Sequence, residues 1–452
     1  MTTTTDGPLS GIRVIDHGHV WAGPLLGMSF KDMGAEVIKI QSPTGVSGVS
    51  MAGKGMAGTA TRDAVDISDP MAYHSFDRGK KSLSLNLQSE DGKEIYKKLI
   101  AVSDVVVENF SARVMPSLGL GFDVLTKVNP KIILASLSAT GATDGPWRDL
   151  VTYGPSLAAL YGIKSVLGYH DSDHPQEDQA DLDPTAAGHA FFAILAALES
   201  RDTTGRGQHI DIAQGEACIQ RIAEPLMDYF LNGRVAGPQG NRYPATAPHG
   251  YYKTSGLDEW VSISVRNQKE WEVFKDLAAQ KSENITNSKF KTLRGRLDNQ
   301  DELDETIESW TKDYTAMQLT KTLQKSKIPA YPVMGALDLV NDENLNSLHR
   351  TSLTVTDNNF SLDSLYRGVI WKLEKGQGEI TGPTPSTGAD NDEILIDFDE
   401  ITSKPLTIVD LPSVISMDIF PNLRSFGNRL SKDHLPSKLT LTVLILRIFP
   451  SV

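Results

Sequence analysis

Cysteine is almost missing. Cys218 stands alone in 452 residues, so no disulfide scaffold can form within the chain, and the lone thiol suits a reducing compartment. In the apolar stretch 216–227 it reads as a small buried side chain. Apolar runs of about 18 residues or more are also absent, which removes the usual signature of a membrane-spanning helix. The opening residues, MTTTTDGPLSG, show neither the basic and hydrophobic layout of a secretory signal nor an Arg-rich transit pattern, so a cytoplasmic location is expected. Positive charge is in deficit, with 44 Lys and Arg against 57 Asp and Glu. A net charge of −13 argues against a nucleic-acid surface, which needs clustered Lys and Arg, but not against a local anion site.

What is present is a long alternation of apolar strands and helical patterns, enough for two or three domains. GIRVID (11–16), a helical stretch at 23–33 and AEVIKI (35–40) form a βαβ unit. SLSLNL, a helix near 89–102 with Ser89 as N-cap, DVVVENF, a helix at 121–128 and KIILASLS continue the pattern. Such alternation predicts an α/β fold with a mostly parallel sheet covered on both faces. Residues 184–200 read as a buried helix ending at RDTTGRG, followed by the strand QHIDIA and a long helical pattern over 215–232. The Pro/Gly-rich stretch 237–250 looks like a boundary. WVSISV and a helix at 268–280 then open a second unit, with Pro329 and Pro332 at its exit.

Asp183 is followed by Pro184 and an apolar run, the pattern of a helix N-cap. A helix N-terminus keeps a carboxylate ionised, and an ionised carboxylate can attack an activated carbonyl without a general base, so capping and catalysis are compatible. His170, Asp171, Asp173 and His174 are metal-ligand types, but their segment has the composition of a loop and not the helix that would align the histidines. His17 and His19 straddle the end of the first strand, where parallel sheets bind ligands. Residues 48–54 imitate a phosphate loop, yet Gly55 stands where a magnesium-binding hydroxyl belongs. Neither a G-x-S-x-G elbow nor a G-x-G-x-x-G turn occurs, which disfavours a serine hydrolase and a nicotinamide dehydrogenase.

LSGIRVIDHGHVWAGPLLG, DMGAEVIKI, RGKKSLSLNL, DVVVENF, LGLGFDVL, DPTAAGHAFFAILAAL and NRYPATAPHGYY, in this order and spacing, closely resemble the class III CoA-transferases, the formyl-CoA and carnitine CoA-transferase type. The likeness runs over about residues 8–396. It implies a large Rossmann-like domain with a parallel sheet, a smaller α/β domain and an interlocked homodimer. The domains expected on that basis are 1–235 (CoA-binding), 236–330 (linker and small domain) and 331–400 (a return segment completing both). Residues 401–452 contain no Glu or Ala and carry six basic against three acidic residues, leaving −16 on the body, and are expected to be a non-family extension.

The resemblance also implies a reaction and a site. Asp183 matches the family's nucleophile, which moves CoA from an acyl-CoA to a carboxylic acid through an aspartyl-bound acyl intermediate. CoA thioester enters as substrate; no tightly bound cofactor or metal is implied, and no nucleic acid or membrane partner. The implied CoA-binding positions are Val20, Trp21 and Ala22; Ser42; Leu85 to Gln88; Asn109, Phe110 and Ser111; and Ser138 with Ala139. Ser42, Gln88 and Ser117 replace basic residues of formyl-CoA transferase, and Trp21 replaces a glutamine, so Lys80, Lys81 and Arg113 are the candidates for the missing phosphate charge. The acyl pocket is expected at Tyr153, His249 and Gly250. Two alternatives stay open on sequence: an α-methylacyl-CoA racemase, whose branch carries a histidine where Tyr153 stands here, and a CoA-binding homologue that has lost catalysis.

Overall fold

The computed structural model describes residues 7–43, 76–169, 182–344, 353–357, 362–366 and 368–395. The phosphate-loop mimic at 48–54, the histidine cluster at 170–174 and the extension 401–452 lie outside the described residues. Two compact units divide the chain. The larger takes in the described residues up to 163, 182–223 and those from 344 on; the smaller takes in 164–169 and 224–343.

In the larger unit, β1 (Arg13–Asp16), β2 (Glu36–Gln41), β3 (Lys81–Ser84), β4 (Val105–Glu108), β5 (Ile133–Ser136) and β6 (His209–Asp211) form one sheet. Its order is β3-β2-β1-β4-β5-β6 and every pairing is parallel. Side chains alternate between two buried faces, which is why the strands read as near-continuous apolar runs. Val14, Val37, Val105 and Ile133 face a core shared with α1 (Ala22–Asp32) and α2 (Leu182–Thr204). Ile15, Ile38, Val106 and Leu134 face Tyr96, Leu99 and Ile100 of the helix Glu90–Ala101 on the other side. Ser89 caps that helix as expected, its hydroxyl accepting from Gly92 N.

Several local expectations are corrected. Helix α2 already begins at Leu182, so Asp183 lies within its first turn and is not the N-cap, and Pro184 is the third helical residue. A first-turn proline is still tolerated because its missing N–H has no intrahelical acceptor. At its other end α2 runs through the polar RDTT and stops at Gly205, whose φ is 70°. The single helix expected over 215–232 is broken into Gln214–Ile219, a 3-10 turn at Gln220–Ile222, and Ala223–Asn232. Pro225 has no N–H to donate back into that turn.

The smaller unit holds β7 (His249–Lys253), β8 (Trp260–Ser264) and β9 (Ala330–Pro332) in an antiparallel sheet of order β7-β8-β9. The segment expected as an exit at Pro329 and Pro332 is thus the third strand. It lies at the sheet edge, where a proline is tolerated. Trp271, Phe274, Phe290 and Trp310 fill the core beside this sheet.

Candidate active site

The strand order reverses between β1 and β4, and at such a switch point the carboxyl ends of an open parallel sheet leave a crevice for ligands. The loop after β1 is fixed there atom by atom. His17 N donates to Val107 O at 2.8 Å, and Gly18 N donates to Asp16 Oδ1 at 2.6 Å. The Asn109 amide, just past β4, clasps His19 from both sides: Oδ1 accepts from His19 N at 2.7 Å and Nδ2 donates to His19 O at 2.8 Å. Val20 then takes φ of 61°, a left-handed conformation that a β-branched residue adopts only under constraint. Gly23 lies so close to Gly18 that a Cβ on it would come within 2.3 Å of the Gly18 Cα, so the loop folds back on itself where only glycine fits.

That fold-back delivers the first N–H of α1 to Asp183: Ala22 N donates to Asp183 Oδ1 at 3.2 Å. Two helix N-termini, those of α1 and α2, therefore converge on one carboxyl group. Burial nonetheless pushes Asp183 up to about 6, against the pull of the N–H groups of Ala22 and of Asp183 itself. The group is mostly ionised at pH 7 but less firmly so than the dipole reasoning predicts, because desolvation outweighs the N–H donors.

The walls are neutral. Burial holds His17 down at about 3, with the neighbouring His19 adding to the shift, and it holds His19 down at about 4. His17 packs on Tyr96 with ring centroids 5.1 Å apart, and His19 on Phe110 at 5.0 Å. Glu108, at the end of β4, is pushed up to about 7 by burial and accepts from Phe110 N at 2.8 Å, which shapes the 109–111 loop.

A family model described as CoA-transferase family III matches residues 9–391. The chain belongs to this family. It is similar to the succinyl-CoA–L-malate CoA-transferase beta subunit of Chloroflexus aurantiacus, with 30% identity covering 87% of this chain and 94% of the relative. The formyl-CoA:oxalate CoA-transferase of Streptomyces avermitilis is also 30% identical, over 75% of this chain and 83% of the relative. Among solved structures, a CAIB/BAIF family protein from Brucella suis matches with a TM-score of 0.75 and 26% identity, covering 87% of this chain and all of that one. The protein is thus a family III CoA-transferase, an enzyme that handles CoA thioesters.

Within this family III enzyme, the residues expected to meet CoA are spread along the carboxyl ends of the strands of one sheet. Ser42 follows β2, Leu85 to Gln88 follow β3, Asn109 to Ser111 follow β4, and Ser138 with Ala139 follow β5. Ser42 and Gln88 are exposed; Leu85 and Ser138 are buried. Tyr153 is 60% exposed at the start of the helix Gly154–Leu160. His249 and Gly250 begin β7 of the smaller unit, where His249 Nδ1 is 3.0 Å from Ser264 Oγ.

Two of the expected phosphate ligands have other partners. The Lys80 side chain is fully buried, and its ammonium donates to Asp16 Oδ2 at 2.7 Å, Asp77 Oδ1 at 2.6 Å and Pro24 O at 2.9 Å, which uses all three donors. Lys81 on the edge strand β3 is shared by Glu36 at 2.8 Å and Glu393 at 2.9 Å. Arg113 is exposed and forms no ion pair among the described residues. Sequence reasoning missed Asp16 and Lys39. Their signal was a charge set directly against the buried apolar run, Asp16 after Val14 and Ile15 and Lys39 between Ile38 and Ile40, a rare thing in a strand buried on both faces. Among the described residues no helix is long and apolar enough to cross a membrane, and no three His, Cys, Asp or Glu gather as a metal site would require.

Proposed function

We propose that Asp183 is the nucleophile of a family III acyl-CoA:carboxylate CoA-transferase. The observation that carries this reading is the Asp183 carboxylate at the switch point, half-buried, mostly ionised at neutral pH and accepting the Ala22 N–H on Oδ1. The other oxygen attacks the donor thioester; the C–S bond breaks and CoA leaves as thiolate, giving an acyl-aspartyl anhydride. The thiolate then attacks the aspartyl carbonyl and releases the donor acid as its carboxylate. An acceptor carboxylate displaces CoA from the aspartyl thioester, and a final thiolate attack on the acceptor carbonyl frees Asp183. Each step exchanges one activated carbonyl for another, so the free energy of the thioester is conserved and no ATP is needed. In the steps that attack the aspartyl carbonyl, the oxygen facing Ala22 N–H gathers the negative charge, which makes that N–H an oxyanion donor.

Arg113, after β4, is the cation best suited to the CoA phosphates, since Lys80 and Lys81 already have carboxylate partners. A homodimer is the assembly that fits the surface. The helix Ala223–Asn232 buries none of its residues, and Phe230 and Leu231 are 76% and 72% exposed. The testing experiment incubates the protein with succinyl-CoA, formyl-CoA and acetyl-CoA against malate, citramalate, oxalate and glutarate, the acids in the relatives' names. New thioesters are read by mass spectrometry. Transfer to at least one acid that is lost in Asp183→Asn supports the reading; transfer that survives Asp183→Asn refutes it. Proton exchange at the α-carbon of a branched acyl-CoA in D2O, without any acceptor acid, would replace transfer by racemisation.

A further inference from the structure

The transfer chemistry makes no use of one cluster of buried charges in the larger unit. Asp16 and Lys80 have fully buried side chains, and Lys39 is 5% exposed. Asp16 takes Lys80 on one oxygen and Lys39, at 3.3 Å, on the other; Asp77 Oδ1 closes the group, 4.0 Å from Lys39 and 2.6 Å from Lys80. The two ammonium groups outweigh burial and hold the Asp16 carboxyl below its usual range, while Asp16 and Asp77 hold Lys80 above its own against the same burial. Helix α1 lies directly on this cage: a Cβ at Gly27 would come within 2.4 Å of Asp16 Oδ2.

Charges buried in this way seldom make a fold more stable than apolar residues of the same volume would, so their benefit must be sought in what they hold. What they hold is the backbone at the two ends of one short stretch, the loop after β1 and the first turn of α1. Asp16 accepts from Gly18 N, Lys39 donates to Gly18 O, and Lys80 donates to Pro24 O. Between these two anchors stand Val20, in its left-handed conformation, and Ala22, whose N–H meets Asp183. Apolar replacements would leave Gly18 N and Gly18 O without these partners and remove the side-chain hold on Pro24 O, freeing the loop to relax.

We propose that Asp16, Lys39 and Lys80 are positioning residues for acyl transfer: their buried cage grips the backbone at Gly18 and Pro24 and so holds the Ala22 N–H against Asp183. The inference rests on the reading of Asp183 as the nucleophile. Burial and two backbone N–H groups act on that carboxyl, so its ionisation reports whether the Ala22 bond is intact. Charges on the elements packed against α2 are engaged or remote. Lys31 and Asp32 stand at the far end of α1, Glu216 faces Tyr161, His209 meets Ser136, and Asp211 accepts from Ala142 and Thr143; Cys218 Sγ is 3.5 Å from Leu182 O.

The test measures formation of the Asp183 adduct from one acyl-CoA donor against pH, in the full chain, for the wild type, Lys80→Met and Asp77→Asn. Wild-type adduct formation should fall away through about pH 6 as Asp183 protonates. In Lys80→Met that limb should rise by about one pH unit, the shift expected when a carboxylate loses one hydrogen bond. Asp77→Asn, which removes a partner whose side chain is 19% exposed, should move it the same way by less, and it decides the matter alone if Lys80→Met does not fold. Folded variants that unfold more readily but keep the wild-type limb would show that the cage is only structural and would overturn the inference. A wild type that forms no adduct at all defeats the reading of Asp183, and the inference with it.

Discussion

Beneath the loop after β1, Asp16, Lys39 and Lys80 form ion pairs almost wholly withdrawn from water, whereas the smaller unit sets its charges along helix surfaces. Arg266–Glu270, Arg294–Asp298 and Lys312–Glu308 are pairs of the latter kind, four residues apart on or beside a helix, each with at least one partner well exposed. Exposed pairs of this type add little to stability. The smaller unit relies instead on Trp271, Phe274 and Trp310, and a deeply buried cation among them, Arg296, lies 4.5 Å over the Trp271 ring and donates to the Ala247 carbonyl. The larger unit accepts desolvated charge and a left-handed valine beside Asp183, the proposed nucleophile; the smaller unit follows ordinary packing.

Four measurements sharpen or break this contrast. The largest effect should come from Asp183→Asn, with transfer falling at least about 10³-fold while the protein stays folded. Next, Lys80→Met leaves Asp16 short of a buried partner and should lower the unfolding free energy in urea by about 3–5 kcal/mol. Third is a pH effect in the opposite direction. The Asp183 carboxyl rises from 3.8 to about 6 on folding, so its contribution to stability is complete below pH 3.8 and lost as pH rises through 6. Asp183→Asn should therefore be the more stable protein at pH 8, by about 1–3 kcal/mol after allowance for partial exposure, and the difference should vanish below about pH 4. The smallest effect belongs to Arg266→Ala, about 0.5 kcal/mol or less. If Arg266→Ala cost as much as Lys80→Met, the two units would not differ as described.

The parallel sheet was legible in the sequence because both of its faces are buried: GIRVID, AEVIKI and DVVVENF are apolar enough to mark β1, β2 and β4, and Ser89 announces its helix. Helix ends were harder to read. Polarity does not stop α2 at Arg201, since Thr204 Oγ1 returns to Ser200 O and the chain leaves the helix only at Gly205. Pro332 read as an exit because a proline marks a strand edge as readily as a boundary. The motif singles out Asp183 as a candidate, but says nothing of its environment. The N–H that reaches it comes from Ala22, 161 residues earlier, and the cage behind that N–H joins Asp16 at the end of β1, Lys39 within β2 and Lys80 just before β3. Side-chain identity at any one of these positions says nothing of such an assembly; only the register that sets Asp16 beside Lys39 brings it together.

The central claim, an acyl group carried on Asp183, is tested most directly by trapping. The protein is mixed with a donor acyl-CoA that it turns over, quenched with hydroxylamine, digested and analysed by peptide mass spectrometry. The account predicts a hydroxamate on Asp183, formed only when donor is present and absent from Asp183→Asn. Turnover of the donor to a new thioester with the Asp183 peptide unmodified would contradict it.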